Sequence, residues 1–139
     1  MKVLDWILLV DDDEIDRFIN EKIISQCDVD YPVYSVHDGY GALEWIDKKV
    51  HDIVSKHELG LIILDINMPG MSGFEFLEVY NLKYPQLKEF IEIVTLSSSN
   101  HRLDKERMFD LGAKSYYSKP LNHEDFRKIL DKSKDEVRD

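Results

Sequence analysis

Five short apolar runs recur along the chain, each followed by a helix-length amphipathic segment, and this alternation restricts the fold more than any other feature. The strand-length runs are Trp6–Val10, Pro32–Val36, Leu61–Leu64, Ile91–Leu96 and Lys114–Tyr117. The segments that follow them, Glu14–Cys27, Gly41–Ser55, Gly73–Lys83, Leu103–Leu111 and His123–Val137, carry helical periodicity. Asp13 and Ser72 stand where a helix N-terminus needs an acceptor, and Gly112 stands where a helix has to stop. Runs such as LIILD are apolar on both faces, which requires a parallel sheet covered by helices on either side. Right-handed crossovers then give an open, doubly wound α/β sheet. No internal repeat and no low-complexity linker interrupts the pattern. A single domain is expected for the 139 residues, with no room for a second output domain.

In such a sheet ligands bind at the carboxyl ends of the strands, so the residues just past each run are the functional candidates. The first run ends in Asp11, Asp12 and Asp13, the third in Asp65, the fourth in Ser97, Ser98 and Ser99, and the fifth in Ser118, Lys119 and Pro120. Two carboxylates about 4 Å apart repel by about 4 kcal/mol at an effective dielectric near 20. A helix N-terminus returns only about 0.3 to 1 kcal/mol of that. The remainder has to come from raised carboxyl pKa values or from a bound cation. Hard carboxylate oxygens suit Mg²⁺, which completes its octahedron with water and phosphate oxygens. Acids, an ammonium and a hydroxyl on one rim therefore read as a phosphoryl-transfer site. The adjoining LDINMPGMSG, residues 64–73, is a Pro- and Gly-rich loop able to bring backbone close to a ligand.

This constellation resembles the receiver domains of two-component response regulators over essentially the whole chain. The resemblance implies a flavodoxin-like fold with strand order 2-1-3-4-5 and helices on both faces. LLVDDD resembles the family's acidic strand end, which implies that Asp12 binds Mg²⁺ directly and Asp11 through a water. DINMPGMSG resembles the acceptor loop, which makes Asp65 the phosphorylated residue and the carbonyl of Asn67 a further metal ligand. In TLSSS the switch hydroxyl corresponds to Ser97, a choice favoured by its spacing to SKP, with Thr95 as the alternative. YYSKP implies that Lys119 binds phosphoryl oxygens, that Tyr116 is the aromatic switch, and that the Lys119–Pro120 peptide is cis. The implied partners are a sensor histidine kinase or a histidine phosphotransfer protein docking by the first helix, where Phe18 is a rim candidate. The implied signalling surface is the fourth helix, fifth strand and fifth helix. Asp13 departs from the pattern as a third acid and is assigned to capping. The second helix is longer than the family needs and is expected to alter the surface near the third strand.

The remaining features narrow the reading. A formal charge of −10 and a pI near 4.9 disfavour nucleic acid and anionic membrane as partners. The amino-terminal MKVLDWILLVDDD fits neither a signal peptide nor a membrane span, so a cytoplasmic protein is expected. Cys27 is expected to be a half-buried filler and Asp16 to be solvated. Ile15, Phe18, Ile19, Ile23 and Ile24 form a broad apolar swath, expected to be mostly core. The five histidines lack metal-ligand spacing, and the acidic triplet lacks the glycine and closing Glu of an EF-hand. Two rival functions remain: a phosphatase using Asp11 and Asp13 as a DxD pair, and a receiver-fold adaptor that is never phosphorylated.

Overall fold

The computed structural model describes residues 4–27 and 30–137, with side chains through residue 131. Its elements alternate as the sequence requires: β1 (Trp6–Val10), α1 (Glu14–Gln26), β2 (Val33–Val36), α2 (Gly39–Lys56), β3 (Gly60–Leu64), α3 (Gly73–Lys83), β4 (Ile91–Ser97), α4 (Arg102–Asp110), β5 (Ser115–Ser118) and α5 (His123–Val137). A short 3-10 turn at Pro85–Leu87, not expected from the sequence, leads from α3 toward β4. The five strands form one parallel sheet in the order β2-β1-β3-β4-β5. Among the described residues, no helix is long and apolar enough to cross a membrane.

Strand alternation divides the interior into two cores. From β1, Trp6, Leu8 and Val10 join Ile62, Leu64, Ile91 and Ile93 on the face covered by α2, α3 and α4. Ile7 and Leu9 point the other way and meet Leu61, Ile63, Val94 and Leu96 beneath α1 and α5. Because β1 and β3 lie in the middle of the sheet, every residue in them is buried. Their carboxyl ends are thereby fixed at the centre of one rim, and Asp11 and Asp65 extend directly from them.

The helix starts are set by short polar side chains. Asp13 accepts from the backbone N–H groups of Ile15 and Asp16, Asp38 accepts from Gly41, and Ser72 forms a reciprocal capping box with Glu75. The Asp38 cap starts α2 two residues before the expected Gly41. Gly112, at φ 109°, follows the end of α4 as expected. From the middle of α2, Lys49 lies 3.5 Å from Glu58, so the long helix is tied to the turn that enters β3.

The broad apolar swath of α1 is not mostly core. Only Ile24 of the five residues is fully buried, while Ile15 and Phe18 are 69% and 65% exposed. The helix covers the sheet with one narrow stripe, so its first two turns leave these side chains facing outward beside the acidic rim. Cys27, in turn, is buried rather than half-buried.

One glycine is required by packing across the sheet. Gly60 pairs with Trp6, and a Cβ on Gly60 would lie 2.0 Å from the indole ring. That ring is 2% exposed and packs edge-on against Trp45 with centroids 4.7 Å apart, so it has no space to retreat. Gly60→Ala is expected to destabilise the fold by about 2 to 3 kcal/mol, at the upper end of overpacking costs, read as a lowered urea midpoint.

Candidate functional site

The carboxyl ends of β1, β3 and β5 and the first turn of α1 bring four charged groups together. The Lys119 ammonium lies 2.8 Å from Asp11 Oδ2, 2.9 Å from Asp16 Oδ2 and 3.1 Å from Asp65 Oδ2. Asp11 and Asp65 are buried, with side chains 4% and 6% exposed, and Lys119 is 15% exposed. Asp11 Oδ1 accepts from the Asp13 N–H at 2.9 Å, and Asp65 Oδ1 accepts from the Ile66 N–H at 2.8 Å. Arg17 donates to the Asp11 carbonyl at 2.6 Å and ties α1 to the end of β1. The Lys119–Pro120 peptide is cis.

Burial pushes the Asp11 carboxyl above its usual range, against the opposing contacts from Lys119 and the Asp13 N–H. Burial raises Asp65 as well; the Lys119 charge opposes this and the neighbouring Asp11 adds to it. Burial pulls Lys119 down, but contacts with Asp11 and Asp16 and the charge of Asp65 outweigh it and hold the ammonium above its normal range. One cation thus serves three acids, and the two buried acids remain undercompensated.

That shortfall suits a divalent ion. Asp11, Asp12 and Asp65 each offer a carboxylate oxygen, and the three lie within 4.8 Å of one another. This spread is slightly wider than the roughly 4.2 Å across an Mg²⁺ octahedron, a gap that small side-chain rotations close. Asp12 is exposed, so the cluster opens to water, which Mg²⁺ retains as ligand. Asn67 is exposed on the loop just past Asp65 and Ile66. The donor set fits Mg²⁺.

The loop after β3 is shaped to present Asp65. Gly73 donates to the Ile66 carbonyl at 2.8 Å, and a Cβ on Gly73 would stand 2.4 Å from the Asp65 carbonyl oxygen. Only glycine lets α3 begin that close to the acid's backbone. Gly70, at φ 81°, completes the turn.

On the neighbouring strand, Thr95 is level with Leu64, one layer below the rim, whereas Ser97 is the last residue of β4. Both are fully buried. Ser97 Oγ accepts from the Ser99 N–H at 3.2 Å, and the Ser99 carbonyl accepts from the Tyr116 hydroxyl at 2.7 Å. Tyr116 is half-buried, with Lys105 Nζ 5.5 Å from its ring centre.

Two residues of the site escaped the sequence reading. Asp16 is not solvated as expected, because its carboxylate is bound to Lys119. Arg17 also has a role there. The signal was present: with Asp13 as the cap, residue 16 falls in the first turn of α1, whose side chains reach back toward the end of β1. The five histidines are all exposed.

Residues 7–131 match the family model of the response regulator receiver domain. The chain belongs to that family. It is 34% identical over 129 residues to the two-component response regulator ARR17 of Arabidopsis thaliana, an alignment covering 88% of this chain and 80% of the relative. It spans about half the length of other curated relatives that it matches. Among solved structures, a two-component response regulator from Cytophaga hutchinsonii superposes with a TM-score of 0.82 at 27% identity, covering 94% of this chain and 97% of that one. The Mn(2+)-bound form of response regulator Rcp1 gives a TM-score of 0.69 at 25% identity, covering 91% and 88%. The receiver fold and two-component membership are therefore established, and receiver domains are signalling domains rather than classical enzymes.

Proposed function

We propose that this receiver accepts a phosphoryl group on Asp65 from the phosphohistidine of a sensor kinase or phosphotransfer protein. The observation that carries this reading is a buried Asp65 carboxylate 3.1 Å from Lys119 and beside the open Asp11 and Asp12 pair. An Asp65 oxygen forms the new bond to phosphorus as the bond from phosphorus to the donor nitrogen breaks, and the leaving imidazole takes up a proton. Asp11, Asp12, Asp65 and the Asn67 carbonyl would hold Mg²⁺, which would neutralise the incoming oxygens. A similar regulator, Rcp1, has a Mn(2+)-bound form, which supports a divalent ion here. Lys119 supplies the second positive contact, and no residue needs to form a further covalent bond.

Ser97 is the switch hydroxyl in this reading, since it stands at the rim while Thr95 lies a layer lower. Turning Ser97 Oγ toward the phosphoryl group breaks its bond from the Ser99 N–H. The loop that holds Tyr116 through the Ser99 carbonyl is thereby released, and the change reaches the α4–β5–α5 surface. The exposed Ile15 and Phe18 offer the donor protein an apolar contact beside the acceptor. A histidine kinase partner carries a cytoplasmic location with it.

Asp13 is engaged in capping α1, which counts against a phosphatase built on an Asp11 and Asp13 pair. The complete acid and lysine set counts against an adaptor that is never phosphorylated. Incubation with acetyl phosphate and Mg²⁺ should add one phosphoryl group, mapped by peptide mass spectrometry to Asp65 and lost when EDTA is present. Phosphate on any other residue, or labelling indifferent to EDTA, overturns the assignment.

A further inference from the structure

An ammonium has three N–H donors, and at Lys119 all three have a carboxylate partner: Asp11, Asp16 and Asp65. A phosphoryl oxygen arriving on Asp65 can be bound by Lys119 only if one partner lets go. The three are not equally free to do so. Asp11 is 4% exposed and also bound by the Asp13 N–H, so it has no path into water and stays on the rim. Asp65 is 6% exposed and is itself the residue to which the group becomes attached. Asp16 is 33% exposed and lies in the first turn of α1, from which it can rotate into water.

We propose that Asp16 is a removable lock on Lys119, a carboxylate that occupies the phosphoryl oxygen's place until the group arrives. The inference rests on Asp65 being the acceptor. Asp16 forms no bond to phosphorus and exchanges no proton during transfer; it only surrenders its contact with Lys119. It acts as a positioning residue of negative sign, opposing the anionic donor at the mouth of the site and competing with the attached group afterwards. A receiver locked in this way is held back from adventitious small phosphodonors and favours a donor whose docking displaces Asp16.

The test compares wild type, Asp16→Ala, Asp16→Asn and Asp16→Glu at saturating Mg²⁺, measuring beryllofluoride affinity, the initial rate of labelling by acetyl phosphate, and Tm. Asp16→Ala is expected to bind beryllofluoride about fivefold more tightly and to label faster by a similar factor, the scale of one partly screened ion pair. Asp16→Asn should follow it in direction, and Asp16→Glu, which restores the carboxylate, should stay near wild type. A change in Tm with affinity and rate unmoved means a merely structural ion pair and overturns the lock. Slower labelling or weaker binding in Asp16→Ala overturns it too, since Asp16 would then be holding Lys119 in its working position. In both cases the acceptor reading stands, provided wild type labels on Asp65; a wild type that does not label there overturns both.

Discussion

Asp65→Asn is expected to abolish labelling by acetyl phosphate and, in Mg²⁺-free buffer, to make the domain more stable than wild type. The loss of labelling follows because an amide oxygen cannot displace the donor from phosphorus and leave a stable acyl phosphate. The gain in stability follows from the raised Asp65 pKa, since a fold that lifts a carboxyl pKa prefers the neutral form. Its sign is fixed by linkage: wild-type stability is fully present below the ordinary carboxyl value of 3.8 and is lost as pH rises through the raised folded value. The variant should match wild type in acid and pull ahead toward neutrality, by about 1 kcal/mol, or roughly 3 to 5 °C in Tm for a domain of this size. Mg²⁺ should narrow the difference, because it stabilises wild type more than a variant missing one of its carboxylates. Thermal melts from pH 4 to 8 with and without Mg²⁺ provide the check. A variant less stable than wild type at pH 7 without metal would show that Lys119 more than compensates Asp65.

The distribution of what could be read in the sequence follows from how local each cause is. The strands were legible because β1 and β3 are apolar on both faces, and only the interior of a parallel sheet accepts such runs. Helix starts at Asp13 and Ser72 were legible because a cap involves residues two or three positions apart. The 3-10 turn at Pro85–Leu87 has no such local signature and follows from the path between α3 and β4. In α1 the sequence displayed more apolar residues than the sheet can cover, and a count of apolar positions could not say that Ile15 and Phe18 would be left outside. The sequence could place Asp11, Asp12, Asp65 and Lys119 on one rim because each stands within two residues of a strand end. The Asp16 contact joins residues 103 positions apart, so the cap at Asp13 placed Asp16 in the first turn of α1 without naming its partner.

The opposite charge change gives the opposite stability result. Lys119→Met keeps the packing of the side-chain stem but removes the cation shared by Asp11, Asp16 and Asp65. Breaking a buried pair by removing one partner costs about 3 to 5 kcal/mol, because the remaining charge is left without compensation. Here the cost has an upper limit, since Asp11 and Asp65 already hold their protons more tightly than usual and can escape the repulsion by taking them up. Without Lys119 both carboxyls rise further. The destabilisation should be smallest near pH 4, where protonation neutralises the cluster, and grow toward pH 8, where it cannot. Mg²⁺ should return much of the loss by supplying the missing positive charge between Asp11, Asp12 and Asp65. It should not return activity in the same measure, because an ion held by the acids would balance their charge without replacing the ammonium contact to a phosphoryl oxygen. Labelling at saturating Mg²⁺ is therefore expected to stay at least about tenfold below wild type, the loss typical of one missing transition-state contact. Recovery of both stability and labelling with Mg²⁺ would mean that Lys119 only balances charge; recovery of stability alone would assign it the phosphoryl oxygens.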